Sequence, residues 1–131
     1  MRGNKSLMTQ IQTNKAYLAL TRLCELRFSF KKSRELYNLT ILLKTIFDFG
    51  AKEEIKIIQN YNGTICDNGV ISFEGIDKRE RSQNCTNELK ELQESEVELV
   101  FKPITLTEAD YGNQEIIPSD IGNLNGFIIF E

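Results

Sequence analysis

From Ser33 to Tyr61 apolar side chains recur at three- and four-residue steps: Leu36, Leu39, Leu43, Ile46 or Phe47, and later Ile57 and Tyr61. That period predicts one α-helix of about 27 residues, roughly 40 Å long, opening at Ser33-Arg34-Glu35-Leu36. Its first half is apolar on more than one face, because Ile41, Leu42, Ile46, Phe47 and Phe49 do not fit a single stripe; its second half is charged. A helix apolar all round must be buried somewhere. Either the rest of the chain covers both faces, or a strip including Ile41, Leu42, Phe47 and Phe49 is left for a second copy or a partner helix. Gly50 lies between the halves and costs about 1 kcal/mol relative to Ala in a helix interior, so a kink or a close helix contact is expected there.

The remaining segments read as shorter elements around this helix. Residues 1–14 are polar without a sustained apolar period, which predicts a loosely ordered N-terminal extension; Met8 is an alternative start to Met1. Ala16, Ala19, Leu20, Leu23 and Leu26 mark the buried stripe of a three-turn helix over 15–26, capped by Thr13 or Asn14. Phe28-Ser29-Phe30 breaks the period and reads as a connector packing both rings. Asn62-Gly63 stops the long helix, and Asp67-Asn68-Gly69 between Thr64-Ile65-Cys66 and Val70-Ile71-Ser72-Phe73 signals a β-hairpin. Asp77 with Glu80 forms a capping-box-like start to a polar helix of about 16 residues with Cys85, Leu89 and Leu92 on a thin apolar stripe.

Val97, Leu99 and Phe101 alternate with Glu96, Glu98 and Lys102 as in a half-buried strand that Pro103 ends. Pro118-Ser119-Asp120 begins a single helical turn, and Phe127-Ile128-Ile129-Phe130 reads as a buried strand. The expected fold is α+β: an N-terminal antiparallel helix pair with one long helix, then a β-hairpin, a polar surface helix and C-terminal strands forming a small sheet. One domain spans 15–131, helical over 15–61 and mixed over 62–131. A chain of 131 residues buries about two-thirds of its unfolded surface, enough for a core without disulfides or a structural metal.

Several chemistries are excluded at once. With no histidine, Ser-His-Asp, Cys-His and HExxH sites cannot be assembled. Cys24, Cys66 and Cys85 stand apart with no CxxC pair, which suggests reduced thiols in a cytoplasm rather than a metal or dithiol centre. The Asn-x-Thr triplets at Asn38, Asn62 and Asn84 follow no signal peptide and read as coincidence. Residues 41–49 are interrupted by Lys44 and Asp48 and fall short of the ~20 residues a bilayer requires. Phosphate-binding glycine motifs and calcium loops are absent, so no cofactor and no metal is expected. No spacing brings two carboxylates together, and no catalytic residue is assigned.

The net charge of −3 hides a polarised chain, because residues 1–60 carry +6 and residues 61–131 carry −9. A candidate basic patch comprises Arg22, Arg27, Lys31, Lys32 and Arg34; a candidate acidic patch comprises Glu88, Glu91, Glu94 and Glu96. The basic residues suit phosphate contacts, but a pI near 5.1 and the lack of a reader motif weigh against nucleic acid. The halves either neutralise across their contact or leave both charges free for assembly or an external partner.

Ala16-Tyr17-Leu18-Ala19-Leu20 leading to Leu23, Tyr61-Asn62-Gly63, Asn68-Gly69-Val70-Ile71-Ser72-Phe73, Asn87-Glu88-Leu89, Glu96-Val97-Glu98-Leu99 with Pro103-Ile104, and Ile117-Pro118-Ser119-Asp120-Ile121 before Phe127-Ile128-Ile129-Phe130 form a series across 16–131. The series resembles a family of small uncharacterised proteins of tailed phages and prophages of Gram-positive bacteria. The resemblance implies an accessory protein of a phage or prophage, cytoplasmic in the bacterial host or virion-associated, and it supplies no catalytic residues. The expected function is non-enzymatic protein–protein binding, with self-association through the long helix; inhibition of a host defence or other host protein and tail or virion morphogenesis are the alternatives, and nucleic-acid binding ranks below them.

Overall fold

In the computed structural model, which describes residues 4–131, β1 (Asn4–Thr9) runs directly into α1 (Gln10–Leu23), and a short link leads to α2 (Phe30–Asn60). Thr9 is the pivot between strand and helix. Its hydroxyl accepts from the Gln12 backbone N–H at 3.2 Å while the Gln12 side chain accepts from the Thr9 N–H at 2.9 Å, a reciprocal cap that satisfies two otherwise orphaned donors. The expected cap at Thr13 or Asn14 is therefore corrected: Thr13 lies inside the helix, fully buried, its hydroxyl donating to the Thr9 carbonyl at 3.1 Å.

The expectation of a loose extension over 1–14 is also corrected for the described residues. β1 pairs antiparallel with β4 (Glu96–Phe101) in a register running from Asn4 opposite Phe101 to Thr9 opposite Glu96, and Gln10 N–H extends the ladder to the Ser95 carbonyl at 2.9 Å. Residues 1–3 lie outside the described residues. The partner strand comes from the far end of the sequence, so nothing local to residues 4–9 announces the pairing.

α2 is 31 residues long and starts earlier than the periodicity suggests, because Ser29 rather than Ser33 caps it: the Ser29 hydroxyl accepts from the Lys32 N–H at 3.3 Å. Ser33 already donates its N–H to the Ser29 carbonyl. Phe28 and Phe30 part company as a result, Phe28 packing against the core and Phe30 standing out in solvent, so the connector packs only one of its two rings. At the other end Asn62 adopts φ 55° and Gly63 N–H reaches back to the Ile58 carbonyl at 2.9 Å, the termination expected of Asn-Gly.

The hairpin forms as β2 (Thr64–Ile65) and β3 (Ile71–Ser72), with Gly69 at positive φ in its turn. α3 (Lys78–Glu94) follows, buried at Cys85. Its expected capping box is not formed: Asp77 turns its carboxylate to the Arg81 guanidinium at 3.0 Å instead. After β4, Pro103 separates it from β5 (Ile104–Leu106), and α4 (Glu108–Tyr111) and α5 (Pro118–Asn123) lead to β6 (Ile128–Phe130). The C-terminal strands do not share one sheet. β4 takes β1 as its partner, while β5 and β6 pair in parallel from Ile104 opposite Ile128 to Leu106 opposite Phe130. Of the apolar run from Phe127 into β6 only part is covered, with Phe127 and Ile128 buried and Ile129 exposed.

The class is α+β, with an antiparallel pair of N-terminal helices of which the second is long. Its core joins Ala16, Ala19 and Leu20 of α1, Leu36, Leu39 and Leu43 of α2, and Leu99, Phe101, Leu106, Leu124 and Phe127 from the C-terminal part. Phe101 and Phe127 stack with ring centroids 5.0 Å apart. α2 passes Gly50 as unbroken helix, so of the two expectations there the close contact is the one observed. The neighbour is the buried Gln10 side chain, whose amide donates to Ile46 O at 3.1 Å and to Asn14 Oδ1 at 2.9 Å; a Cβ on residue 50 would collide with that amide nitrogen.

Candidate functional site

Because one face of α2 is committed to the core, the positions half a turn away project outward. Phe30 is 76% exposed, Tyr37 62%, Ile41 45% and Ile55 45%, and together they form a strip along almost the full helix; Phe49, 58% exposed, stands beside it. The Arg34 guanidinium lies 4.6 Å from the Phe30 ring centroid, a cation–π contact that holds the ring at the start of the strip. At mid-length Lys44 and Asp48 form an exposed ion pair of 2.8 Å, and the Asp48 carboxylate raises the Lys44 ammonium above its usual pKa, chiefly by hydrogen bonding.

The four residues expected to form an interaction strip divide. Ile41 and Phe49 face solvent. Leu42 and Phe47 turn inward and are corrected as surface residues: Leu42 packs against the core, and the Phe47 ring tilts against Tyr17 at 4.7 Å. Phe30, Tyr37 and Ile55 are the members that periodicity passed over. Their signal was present, since they share one side of the helix with Ile41, but the density of the apolar run over 41–49 concealed it.

Much of the expected basic patch is engaged in holding the fold. Arg22 donates from Nε to both Asp120 oxygens, at 2.9 and 3.1 Å, and Asp120 is almost wholly buried; that hydrogen bonding raises the Arg22 guanidinium pKa. Lys32 Nζ donates to the Thr105 carbonyl at 2.8 Å and lies 3.6 Å from Glu35, while Arg34 covers Phe30. Arg27 and Lys31 are exposed at the turn between α1 and α2, with Gln114 fastening the Arg27 backbone. Between α2 and the β4–β5 link runs a groove of about 460 Å³ that Lys32 borders together with Leu39, Leu42, Phe101 and Pro103.

The acidic patch is likewise divided. Glu91 and Glu94 are exposed on α3 and Glu96 at the start of β4. Glu88 is half-buried and hydrogen-bonded to Tyr61, whose hydroxyl is pushed above its usual pKa, first by burial and then by that carboxylate. Between the oppositely charged halves of the chain, Arg22–Asp120 and Lys5–Glu98 are ion pairs that cross their contact. The polarity is thus partly neutralised internally.

Among the described residues no group of three His, Cys, Asp or Glu is placed to hold a metal ion, and no helix is long and apolar enough to cross a membrane. Compared with protein-family models, curated proteins and solved structures, the chain finds no match in any of the three. The resemblance to small phage and prophage proteins accordingly rests on its sequence signatures alone.

Proposed function

We propose that this protein is a non-enzymatic binding module that acts through the outer face of α2. The observation that carries this reading is the strip of Phe30, Tyr37, Ile41 and Ile55, large apolar side chains left in solvent along one rigid helix although the chain has a core to put them in. Aromatic anchors on a preformed helix lose little entropy on binding and supply most of the energy of helix-mediated contacts. The charges flanking the strip steer association without adding much affinity.

Self-association is the first form of this reading. The resemblance to phage and prophage proteins supports an accessory role in a bacterial cytoplasm or on a virion, either as a morphogenesis factor or as an inhibitor of a host protein. To test the binding face, purified chain and host lysate are passed over immobilised wild type, over Tyr37→Glu/Ile41→Glu and over Glu91→Lys on α3. The expected result is retention by wild type and by the α3 variant and its loss with the α2 variant. Equal behaviour of all three overturns the assignment of function to this face.

A further inference from the structure

We infer that the partner of the α2 outer face is a second copy of the same chain, its α2 lying antiparallel to the first about a two-fold axis level with Ile46. The inference rests on the reading of that face as the binding surface and specifies its occupant and register.

The outward positions Phe30, Arg34, Tyr37, Ile41, Lys44, Asp48, Ala51 and Ile55 follow one another by alternating steps of four and three. This is the spacing of a helix–helix seam, in which the average period of 3.5 keeps one line of side chains facing a partner helix. The spacing is also self-complementary. With the axis level with Ile46, Tyr37 meets Ile55 of the second copy, Ile41 meets Ala51, and Lys44 meets Asp48, each contact occurring twice as an isologous interface requires. The ion pair now closed within one helix at 2.8 Å becomes two pairs across the seam.

The charges also select against other arrangements. Parallel pairing in register sets Lys44 against Lys44 and Asp48 against Asp48. Sliding the antiparallel helices by seven residues in one direction sets Asp48 against Tyr37, and in the other sets Lys44 against Ile55; each leaves a charge facing an apolar group. A polar pair at an otherwise apolar seam is the best-attested means of fixing register and orientation. Beyond the paired length from Tyr37 to Ile55, Phe30 falls level with Asn62 and Arg34 with Ile58, which is buried in its own chain, and Arg34 stays on the Phe30 ring; at the flanks Lys52 falls level with Thr40 of the second copy and Glu54 with Asn38.

The area agrees with a reversible dimer. Tyr37, Ile41, Ala51, Ile55 and the ion pair, the residues this register brings face to face, present at their observed exposures roughly 500 Å² per copy. Two copies bury about 1,000 Å², the size of weak, transient contacts, and a dissociation constant of about 10–100 μM is expected.

The test is a charge-swap set read by sedimentation equilibrium. Lys44→Glu alone places a new carboxylate against Asp48 of the second copy, and Asp48→Lys alone places two ammonium groups together. Each is expected to weaken the homodimer at least tenfold, with helical circular dichroism unchanged because both positions are on the surface. The double variant K44E/D48K restores both attractions, and so does an equimolar mixture of the two single variants; both are expected within about threefold of wild type. A wild type that stays monomeric at about 200 μM overturns the proposal. A mixture that associates no better than its components overturns the register, and if Tyr37→Glu/Ile41→Glu still abolishes association in that case, the binding face stands while this arrangement falls.

Discussion

The inner and outer faces of α2 share one backbone and nearly the same kind of residue, yet they do different things. Leu36, Leu39, Leu43 and Ile58 on the inner face are buried under α1, α3 and the C-terminal strands, whereas Phe30, Tyr37, Ile41 and Ile55 on the outer face stay largely in solvent. Adjacent residues fall on opposite sides of this division: Leu42 is packed and Ile41 is not. Hydrophobicity therefore does not separate fold from function in this helix; the supply of neighbours does. The division between the faces is sharpest at Leu43, which has no exposure. Leu43→Ala is expected to destabilise the fold by about 3 kcal/mol, through lost transfer energy and the cavity left behind, while Ile41→Ala shifts it by less than about 0.5 kcal/mol. Urea unfolding midpoints of the two variants give the difference, and equal shifts would erase the distinction between faces.

Gly50 lies on the inner face and meets α1 through Gln10. In an exposed helix Gly→Ala stabilises by about 1 kcal/mol. Here the added methyl meets the Gln10 amide, which is buried and already hydrogen-bonded twice, so it must displace that amide from Ile46 O and Asn14. Breaking such bonds costs about 1–3 kcal/mol. Gly50→Ala is expected to destabilise by about 1 kcal/mol net, and Gln10→Ala combined with it to be less harmful than the two single effects added together. Thermal unfolding of the four members of this cycle reads the coupling; simple additivity would mean that the close approach is not what requires glycine.

Features set by neighbouring residues were legible in the sequence, and features set by distant ones were not. The Asn62-Gly63 stop, the hairpin about Gly69 and the helical turn after Pro118 each depend on a few adjacent residues, and each stands where expected. β1 depends on β4, from Asn4 opposite Phe101 to Thr9 opposite Glu96, about two-thirds of the chain away, and its own alternation is weak, with Met8 turned to the core and Leu7 to solvent. The same limit applies to the candidate site. Periodicity identified α2 as the helix carrying surplus apolar residues but not which of them the rest of the chain would cover, since Tyr17, which covers Phe47, arrives from α1. It also passed over Ser29 as the cap, because Ser33 satisfies the same local pattern.

A smaller effect arises where the C-terminal end of α2 meets α3. Burial raises the Cys85 thiol above its usual 9.0, and burial with Glu88 raises the Tyr61 hydroxyl above 10.0. For groups raised in the folded state, the stabilisation is complete below the unfolded pKa and is lost as pH rises through the folded one. Unfolding midpoints are therefore expected to be level up to about pH 9 and to decline above it, with Cys85→Ala flattening the first part of the decline. The accessible thiols supply a control: Cys24 and Cys66 are exposed and are expected to react with an aromatic disulfide in the native protein, whereas the buried Cys85 is expected to react only on unfolding. A native Cys85 that reacts as fast as Cys24 would mean that α3 opens readily from the inner face.

The smallest expected change in stability is the most informative about the outer face. Tyr37→Glu/Ile41→Glu places two carboxylates where both side chains already face water, so unfolding free energy is expected to stay within about 0.5 kcal/mol of wild type. The same variant is expected to remove association, because burying either new carboxylate against an apolar partner without a counter-charge is strongly unfavourable. Denaturation and sedimentation on one preparation separate the outcomes. A stable fold with association lost assigns the outer face to binding alone. A destabilised fold would show that Tyr37 and Ile41 hold α2 in place, and the division between the faces would then be one of degree, with the outer strip a thinly covered part of the core.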